Sequence, residues 1–283
     1  MADFSLEDLK TLRERLGTGM VETKNALVEA GGDLEKATEL LRLRGAKSNA
    51  KRSDRSTSEG LIAARESGNT ATLLELACET DFVAKSDKFV ALGDKVLDAA
   101  VAAGATTVAE ALSAAASTGT EQTSTGQTVA ELISDEAAIL GEKIELRRLA
   151  VVSGEKFAIY LHKTNKDLPA QVGVVVGYSG DDADTARSVA QHISFAAPIY
   201  LTREDVPTDD VENERRIVEE ISRGEGKPEA ALPKIIEGRL GAFFKQVALL
   251  EQDYARDNKL VISKVLSDAN LAVSGFVRFK VGA

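Results

Sequence analysis

The spacing of the apolar residues changes along this 283-residue chain, and these changes constrain its fold more than any other feature. Up to Gly45, apolar residues recur at three- and four-residue steps, as in helices. Short strand-like runs and helical segments follow, and long helical stripes return between Asp209 and Leu250. Strands and helices in such separate runs predict an α+β protein. The length leaves room for about two domains.

Three helical stripes in residues 1–45 predict an N-terminal three-helix module. Gly17-Thr18-Gly19 separates the first two stripes, Gly31-Gly32 ends the second, and Asp33 can cap the third helix. We expect the third helix to end near Gly45. The stripes are Leu6, Leu9, Leu12 and Leu16, then Met20, Ala26, Leu27 and Ala30, then Leu34, Ala37, Leu40, Leu41 and Leu43.

Residues 46–59 predict a linker, because they are polar and contain no large apolar side chain. The alternative is a nucleic-acid-binding patch, since Lys47, Lys51, Arg52 and Arg55 are basic. This segment has no aromatic side chain for base stacking, and the whole chain carries a net charge of −10. We therefore favour the linker and expect no direct nucleic-acid partner.

The core, residues 60–283, predicts two similar units in which a hairpin precedes a helix. We divide it into an N-terminal subdomain, 60–152, and a C-terminal subdomain, 153–283, each with an antiparallel sheet. Residues 113–128 are low in complexity and predict a surface loop without chemistry. Strands are expected at 61–64, 72–78, 144–152, 157–162, 172–178 and 272–281, and helices at 86–103, 129–141, 183–197 and 263–269.

Residues 209–250 predict an antiparallel helical hairpin, of coiled-coil type, inserted into the C-terminal subdomain. Gly224 to Pro228 break the pattern between its two arms. The apolar stripes are Val211, Ile217, Val218 and Ile221 on the first arm, and Leu232, Ile235, Ile236, Leu240, Phe243 and Val247 on the second. Because the chain leaves and returns within one segment, we expect the hairpin to protrude.

The residues that could support metal or phosphate chemistry are few. The single cysteine, Cys78, permits no internal disulfide, and His162 and His192 lie far apart in the sequence, so a zinc site is not expected. Gly226-Lys227-Pro228 lacks the glycine five positions earlier that a phosphate-binding loop requires. We expect no cofactor and no metal.

Membrane insertion and export are not expected either. No apolar run reaches the roughly 18 to 20 residues that span a bilayer. The start, Met1-Ala2-Asp3-Phe4, lacks the basic and apolar regions of a signal peptide. We expect a cytoplasmic protein.

Nucleophilic catalysis by Cys78, with His162 or His192 as base, is one hypothesis for function. Against it, Cys78 lies late in an apolar strand, where cysteine behaves as a small buried hydrophobe. His192 is expected to be a packed or half-exposed helix residue, and His162 at a strand end is expected to be more open. We favour a structural role for the thiol.

The segment Thr80-Asp81-Phe82-Val83 lies where a strand passes into a helix. Phe82 can tuck beneath the sheet or point outward as a contact for a partner, since a buried aromatic contact carries much of an interface's energy. On the residues alone we favour tucking.

Two segments resemble signatures of the translation elongation factor Ts family. They are Glu75-Leu76-Ala77-Cys78-Glu79-Thr80-Asp81-Phe82-Val83-Ala84-Lys85 and Leu12-Arg13-Glu14-Arg15-Leu16-Gly17-Thr18-Gly19-Met20-Val21-Glu22-Thr23-Lys24-Asn25-Ala26-Leu27. The likeness extends over the whole chain, including the closing Gly275-Phe276-Val277-Arg278-Phe279. Leu16 stands where the family usually has threonine, and Ala77 where a larger or polar residue is common. Some relatives continue into a further helix beyond that closing strand, so a contact made by such a helix is not expected here.

The resemblance implies a guanine-nucleotide exchange factor for elongation factor Tu, with no covalent catalysis and no small-molecule substrate of its own. It implies that Thr80, Asp81, Phe82 and Val83 push into the GTPase domain of that partner, disturb its magnesium and phosphate site and release GDP so that GTP can bind. Further contacts are expected, by the same likeness, at Leu12, Arg13, Gly19, Met20 and Lys24 of the module and at His162.

The module itself resembles ubiquitin-associated (UBA) domains, so a helical-module scaffold remains an alternative function. The thiol enzyme is the other alternative. A Cys78→Ser variant would lose activity only if the thiol were catalytic.

Overall fold

A computed structural model describes residues 4–117 and 124–283 of the chain. It is an α+β structure with an N-terminal three-helix region. The helices are α1 Leu6–Leu16, α2 Met20–Glu29, α3 Leu34–Ala50, α4 Asp81–Ala84, α5 Asp87–Ala102, α6 Val108–Ser113, α7 Val129–Leu140, α8 Ala183–Ala196, α9 Thr208–Gly224, α10 Leu232–Val247 and α11 Ile262–Asp268. The strands are β1 Glu59–Ser67, β2 Thr70–Cys78, β3 Ala115–Ser117, β4 Ser124–Thr128, β5 Ile144–Ser153, β6 Lys156–His162, β7 Val172–Ser179, β8 Asp253–Tyr254, β9 Asp257–Val261 and β10 Ala272–Lys280.

The N-terminal module packs its three helices around a small core of its own, which contains Leu9, Leu12, Ala26, Leu27, Ala37 and Leu41. Asp33 caps α3 as predicted, accepting hydrogen bonds from the backbone N–H groups of Glu35 at 3.0 Å and Lys36 at 3.1 Å. Some stripe residues do not enter this core, because three short helices enclose only one narrow apolar seam. Leu6, Met20, Leu34 and Leu43 are exposed.

Helix α3 continues to Ala50, so the prediction that it ends near Gly45 is wrong, and residues 46–50 of the predicted linker are helical. Gly45 has a packing role instead, since a Cβ built there would lie 3.0 Å from the Cβ of Ala138 in α7. Farther along α3, the Asn49 side-chain amide donates to the carbonyl oxygen of Ser134 at 2.7 Å. The segment is therefore docked on α7. The likeness of the module to UBA domains stays a prediction.

Two three-stranded antiparallel sheets form the core. The first has the order β1-β2-β5, and the second has the order β10-β7-β6, so the C-terminal strand joins the second sheet as predicted. Helices α5 and α7 share the core on one side of the first sheet, and α8 and α11 share that of the second. The division of the core at residue 152 stays a prediction.

The two sheets pack face to face through an apolar layer that includes Ile62, Leu73, Val152 and Val175. Gly173 makes this close approach possible, because a Cβ there would lie 2.3 Å from the Cγ2 atom of Ile62. This layer places one end of the first sheet beside one end of the second.

Helices α9 and α10 form the predicted antiparallel hairpin, with a break after Gly224. The hairpin has a separate core of Val206, Val218, Leu232, Ile236, Leu240 and Phe244. Its coiled-coil character stays a prediction. Strands β8 and β9, and the short helices α4 and α6, were not predicted, because two to six residues carry too little periodicity.

The predicted loop at 113–128 contains two paired strands, β3 and β4, where Ala115 pairs with Thr128. Residues 118–123 of that prediction lie outside the described residues. Among the helices that the structure describes, none combines the length and the apolar character needed to cross a bilayer.

Candidate partner-binding site

The segment Thr80–Val83 forms the beginning of a single helical turn between β2 and α5. Thr80 is the N-cap of α4, and its side chain accepts a hydrogen bond from the backbone N–H of Val83 at 3.4 Å. Ser86 then caps α5 as predicted, accepting from the N–H of Phe89 at 3.3 Å. Two caps within seven residues define where the turn starts and where the next helix begins.

Phe82 is 72% exposed, so the prediction that it tucks beneath the sheet is wrong. The next two side chains, Val83 and Ala84, are buried and join the core under the first sheet. On a helical turn, burial of these two directs their neighbour toward solvent, since successive side chains point about 100° apart. Val83 therefore anchors the turn from inside and presents no side-chain surface to a partner.

The polar neighbours of Phe82 lie on the same turn. The ammonium of Lys85 lies 4.4 Å from the centre of the Phe82 ring and 3.6 Å from the Asp81 carboxylate. Asp81 is exposed, and an exposed ion pair of this kind contributes less than about 1 kcal/mol to stability. The turn thus presents an aromatic ring, an acid and a base to solvent.

Glu142, which follows α7, binds the base of this turn. One of its carboxylate oxygens accepts hydrogen bonds from the backbone N–H groups of Glu79 and Thr80, both at 3.1 Å. The other accepts from the Thr80 hydroxyl at 2.5 Å. Sequence reasoning missed Glu142, because 62 residues separate it from Thr80 and only its place after Gly141 at a helix end hints at a polar role.

The predicted module residues divide between surface and interior. Arg13, Gly19, Met20 and Lys24 are exposed. Leu12 is 1% exposed and belongs to the module core, so its predicted partner contact is wrong as far as its side chain is concerned. The hydrophobic spacing that identified Leu12 is the spacing of a helix's buried face.

One open cleft joins the module to the region of the turn. It is lined by Arg13, Gly19 and Met20 of the module and by Lys88 in the first turn of α5. Lys88 follows Phe82 by six residues. The cleft therefore places the first signature segment beside the start of α5, the helix that follows the second signature segment.

His162 lies exposed at the end of β6, as predicted, and its Nδ1 atom is 3.0 Å from the Tyr160 hydroxyl. Next to this strand end, a groove of about 380 Å³ is lined by Lys85 and Val90 from the first sheet's side and by Leu161 and Lys163 from the second. The end of β6 thus neighbours the turn through a groove, and His162 is not itself part of the groove lining.

The thiol of Cys78 is buried and donates to the carbonyl oxygen of Thr80 at 3.4 Å. Burial, with a smaller contribution from the nearby Glu142 carboxylate, raises the pKa of Cys78 to about 12. A nucleophilic thiol needs a lowered pKa and access, so Cys78 is unsuited to catalysis. The structural role favoured from the sequence agrees with this environment.

His192 is buried, and its Nε2 atom lies 2.9 Å from the Gln252 side-chain oxygen. Burial lowers the pKa of His192, which keeps the imidazole neutral. Of the two predicted possibilities, a packed or a half-exposed helix residue, the structure shows the packed one, in α8. Across residues 4–117 and 124–283, no group of three or more His, Cys, Asp or Glu side chains is arranged to hold a metal ion.

Comparison with known proteins gives a consistent result. A family model described as Elongation factor TS matches residues 79–283. Proteins named Elongation factor Ts align over the whole of both chains. They include those of Leifsonia xyli subsp. xyli (strain CTCB07), 75% identical over 284 residues, Clavibacter sepedonicus, 68% identical over 283 residues, and Tropheryma whipplei (strain Twist), 53% identical over 282 residues.

Proposed function

Because the chain belongs to the elongation factor Ts family, a family of translation elongation factors, we propose that it is the guanine-nucleotide exchange factor for elongation factor Tu. It binds the GDP-bound GTPase and accelerates release of GDP, so that GTP can bind. The observation that carries the proposal is the exposed Phe82 ring on a turn whose next two side chains, Val83 and Ala84, are buried. Its site of action would be the cytoplasm, where translation takes place.

In this proposal Phe82 is the wedge that enters the GTPase domain. Aromatic side chains that enter a partner's pocket often dominate the binding energy. Asp81 makes polar contacts with the displaced segment of the partner, and Thr80 and Val83 hold the wedge from within this chain. The partner's magnesium and phosphate site is disturbed, and the partner's affinity for GDP falls.

The energy for this displacement comes from differential binding. A factor that binds the nucleotide-free GTPase more tightly than the GDP form weakens GDP binding by the same ratio, because the two equilibria are linked. No covalent step and no substrate of this chain are needed. The buried, high-pKa thiol of Cys78 is in keeping with such a mechanism.

A wide contact surface supplies the binding energy that a single ring cannot. We place Arg13, Gly19, Met20 and Lys24 of the module in contact with the same GTPase domain, because the first three line or border the cleft that faces Lys88. His162, at the exposed end of β6, contacts another domain of the partner. Leu12 supports this surface from the module core.

The test is the release rate of a fluorescent GDP analogue from elongation factor Tu, measured without this protein and with it. Wild type should accelerate release, and Phe82→Ala should lower the accelerated rate about tenfold or more. Because Phe82 is mostly exposed, the melting temperature should stay close to that of wild type. Phe195→Ala is the matched control, since Phe195 is 84% exposed near the end of α8, a helix that packs on the second sheet.

Two results would contradict the proposal. If folded wild type does not accelerate release, the exchange function is wrong. If Phe82→Ala and Phe195→Ala both exchange like wild type, the function stands but the wedge lies elsewhere.

A further inference from the structure

We propose that Glu142 is a positioning residue for nucleotide exchange, and that its carboxylate sets the turn carrying Phe82 before the partner binds. This inference rests on the proposed function. It concerns a residue outside both signature segments, placed 60 residues beyond Phe82 in the sequence.

The Glu142 carboxylate accepts three hydrogen bonds at the base of the turn. Strand β2 ends at Cys78 and α4 begins at Asp81, so the N–H groups of Glu79 and Thr80 lie between the two elements. Glu142 accepts both of these N–H groups and the Thr80 hydroxyl. Hydrogen bonds to a charged acceptor are about twice as strong as neutral ones.

The segment before the turn also binds back to the α7–β5 loop, through Glu79. The carboxylate of Glu79 accepts from the backbone N–H of Lys143 at 2.6 Å, and Arg55 pairs with Glu79 at 3.2 Å. Adjacent residues of the turn and of the α7–β5 loop therefore hold each other. We call Glu79, Thr80, Glu142 and Lys143 the clasp.

Thr80 connects the clasp to the turn that carries Phe82. The Thr80 hydroxyl that donates to Glu142 also accepts from the N–H of Val83, so one side chain joins the clasp to the helical turn. Phe82 contacts little of its own chain apart from Lys85. The backbone of the turn therefore determines where the ring lies.

For nucleotide exchange, the clasp lowers the free-energy cost of ordering the turn when the partner binds. A contact side chain on a mobile turn must be ordered when the partner binds, and that cost reduces the useful binding energy. A turn held by the clasp is ordered beforehand. Errors of about 1 Å in such geometry can reduce a rate about a hundredfold.

The experiment is a double-mutant cycle between Glu142→Gln and Phe82→Ala in the GDP-release assay. Glutamine keeps the side-chain length but removes the charge, and only one of its two terminal atoms accepts hydrogen bonds, so the two N–H groups and the Thr80 hydroxyl can no longer all donate to a charged acceptor. We expect Glu142→Gln to lower the accelerated release rate about tenfold. In the Phe82→Ala background, the same substitution should lower the rate less than about twofold, because the ring it positions is absent.

Glu155→Gln is the matched control, because Glu155 is an exposed carboxylate in the β5–β6 connection and the substitution removes the same charge. It should exchange like wild type. A protein in which Glu142 served stability alone would show additive losses in the cycle, and additive losses would overturn the inference. Wild-type exchange by a folded Glu142→Gln variant would also overturn it while leaving the exchange function intact. A wild type that fails to accelerate release overturns the function and this inference together.

If Glu142→Gln does not fold, amide hydrogen exchange on the wild type decides. The clasp requires the Glu79 and Thr80 amides to exchange about tenfold or more slowly than the exposed amide of Glu155. Unprotected amides at both positions would overturn the inference.

Discussion

At the scale of single residues, burial separates the side chains proposed to contact a partner from those that support them. Phe82 and Val83 are adjacent and both apolar, yet the first is exposed and the second buried. Cys78, two residues before the N-cap Thr80, is also buried and lies beside that residue's carbonyl oxygen. The signature segment thus contains both exposed side chains and core side chains, and its thiol belongs to the core.

The environment of Cys78 predicts a measurable dependence of stability on pH. Burial raises its pKa from 9.0 to about 12, so above pH 9 the unfolded chain releases a proton that the folded chain retains. The free energy of unfolding then falls as pH rises. At about pH 10 the thiol should have cost wild type about 1.4 kcal/mol relative to neutral pH.

Urea titrations of wild type and Cys78→Ala across this range test the prediction. The alanine variant will be less stable at neutral pH, because it leaves a small cavity. Its stability should nevertheless decline less steeply above pH 9 than that of wild type, by the amount given. Parallel declines would contradict the raised pKa.

At the scale of elements, close contacts with α7 hold the N-terminal module on the core. Gly17, the C-cap of α1, has φ +60°, and a Cβ there would lie 2.5 Å from the Cγ2 atom of Ile139 in α7. Gly45 makes a similar close approach to Ala138. Gly17, between α1 and α2, and Gly45, within α3, therefore both allow close packing of the module against α7.

Gly17→Ala should loosen this contact. The substitution adds a left-handed backbone penalty of about 1 kcal/mol and a steric clash of about 1 to 3 kcal/mol. We expect faster tryptic cleavage after Lys47, Lys51 and Arg52, by about tenfold, as the end of α3 leaves α7 more often.

Gly31→Ala separates the two costs, because Gly31 has φ +68° but no atom within 4 Å of a built Cβ. Gly31→Ala should destabilise the module only by the cost of the left-handed backbone conformation. The rate of tryptic cleavage at these sites should stay within about twofold of wild type. Equal cleavage of the two variants would show that the Ile139 contact does not hold the module.

At the scale of the whole molecule, a buried ion cluster joins the two sheets. Glu75 on β2 is fully buried, and both Arg147 and Arg148 of β5 contact it. The β2–β5 register skips Arg147, a bulge that allows both guanidinium groups to approach one carboxylate. The cluster also reaches the C-terminal segment, since Arg148 donates to the Lys280 carbonyl oxygen at 2.6 Å and Glu75 accepts from the N–H of Gly282 at 3.2 Å.

Removing the negative charge of this cluster should destabilise the whole core. Glu75→Gln leaves Arg148 without its counter-ion and Arg147 with Glu145 alone, and removing one partner of a buried pair typically costs about 3 to 5 kcal/mol. Urea unfolding should shift by this amount, and probes in the first and second sheets should shift together. Glu66→Gln, at an exposed position of β1, is the control and should change stability by less than about 0.5 kcal/mol. An equal effect of the two substitutions would contradict a bridging role for Glu75.

The cluster bears on function, because the proposed contacts lie on both sheets. Phe82 follows β2 of the first sheet, and His162 ends β6 of the second. The groove lined by Lys85 and Leu161 lies between the two. The packing of the sheets therefore determines the spacing of the proposed contact surface.

Local sequence patterns were enough to predict the longer helices and strands and to indicate the family. Apolar spacing predicted the three N-terminal helices, both sheets and the helical hairpin, because these patterns reflect which face of an element is buried. The two signature segments indicated the family before any geometry was known. Capping by Asp33 and Ser86 was also predictable, since a cap depends on residues at most three positions away.

Only the tertiary structure decided which of those residues face solvent and which distant groups hold them. The exposure of Phe82, the burial of Leu12 and the extension of α3 along α7 all depend on what packs against each element. The bonds from Glu142 to Thr80 and from Arg148 to Glu75 join residues 62 and 73 positions apart. Local spacing records the apolar face of an element, whereas contacts between distant residues form only when those faces pack together.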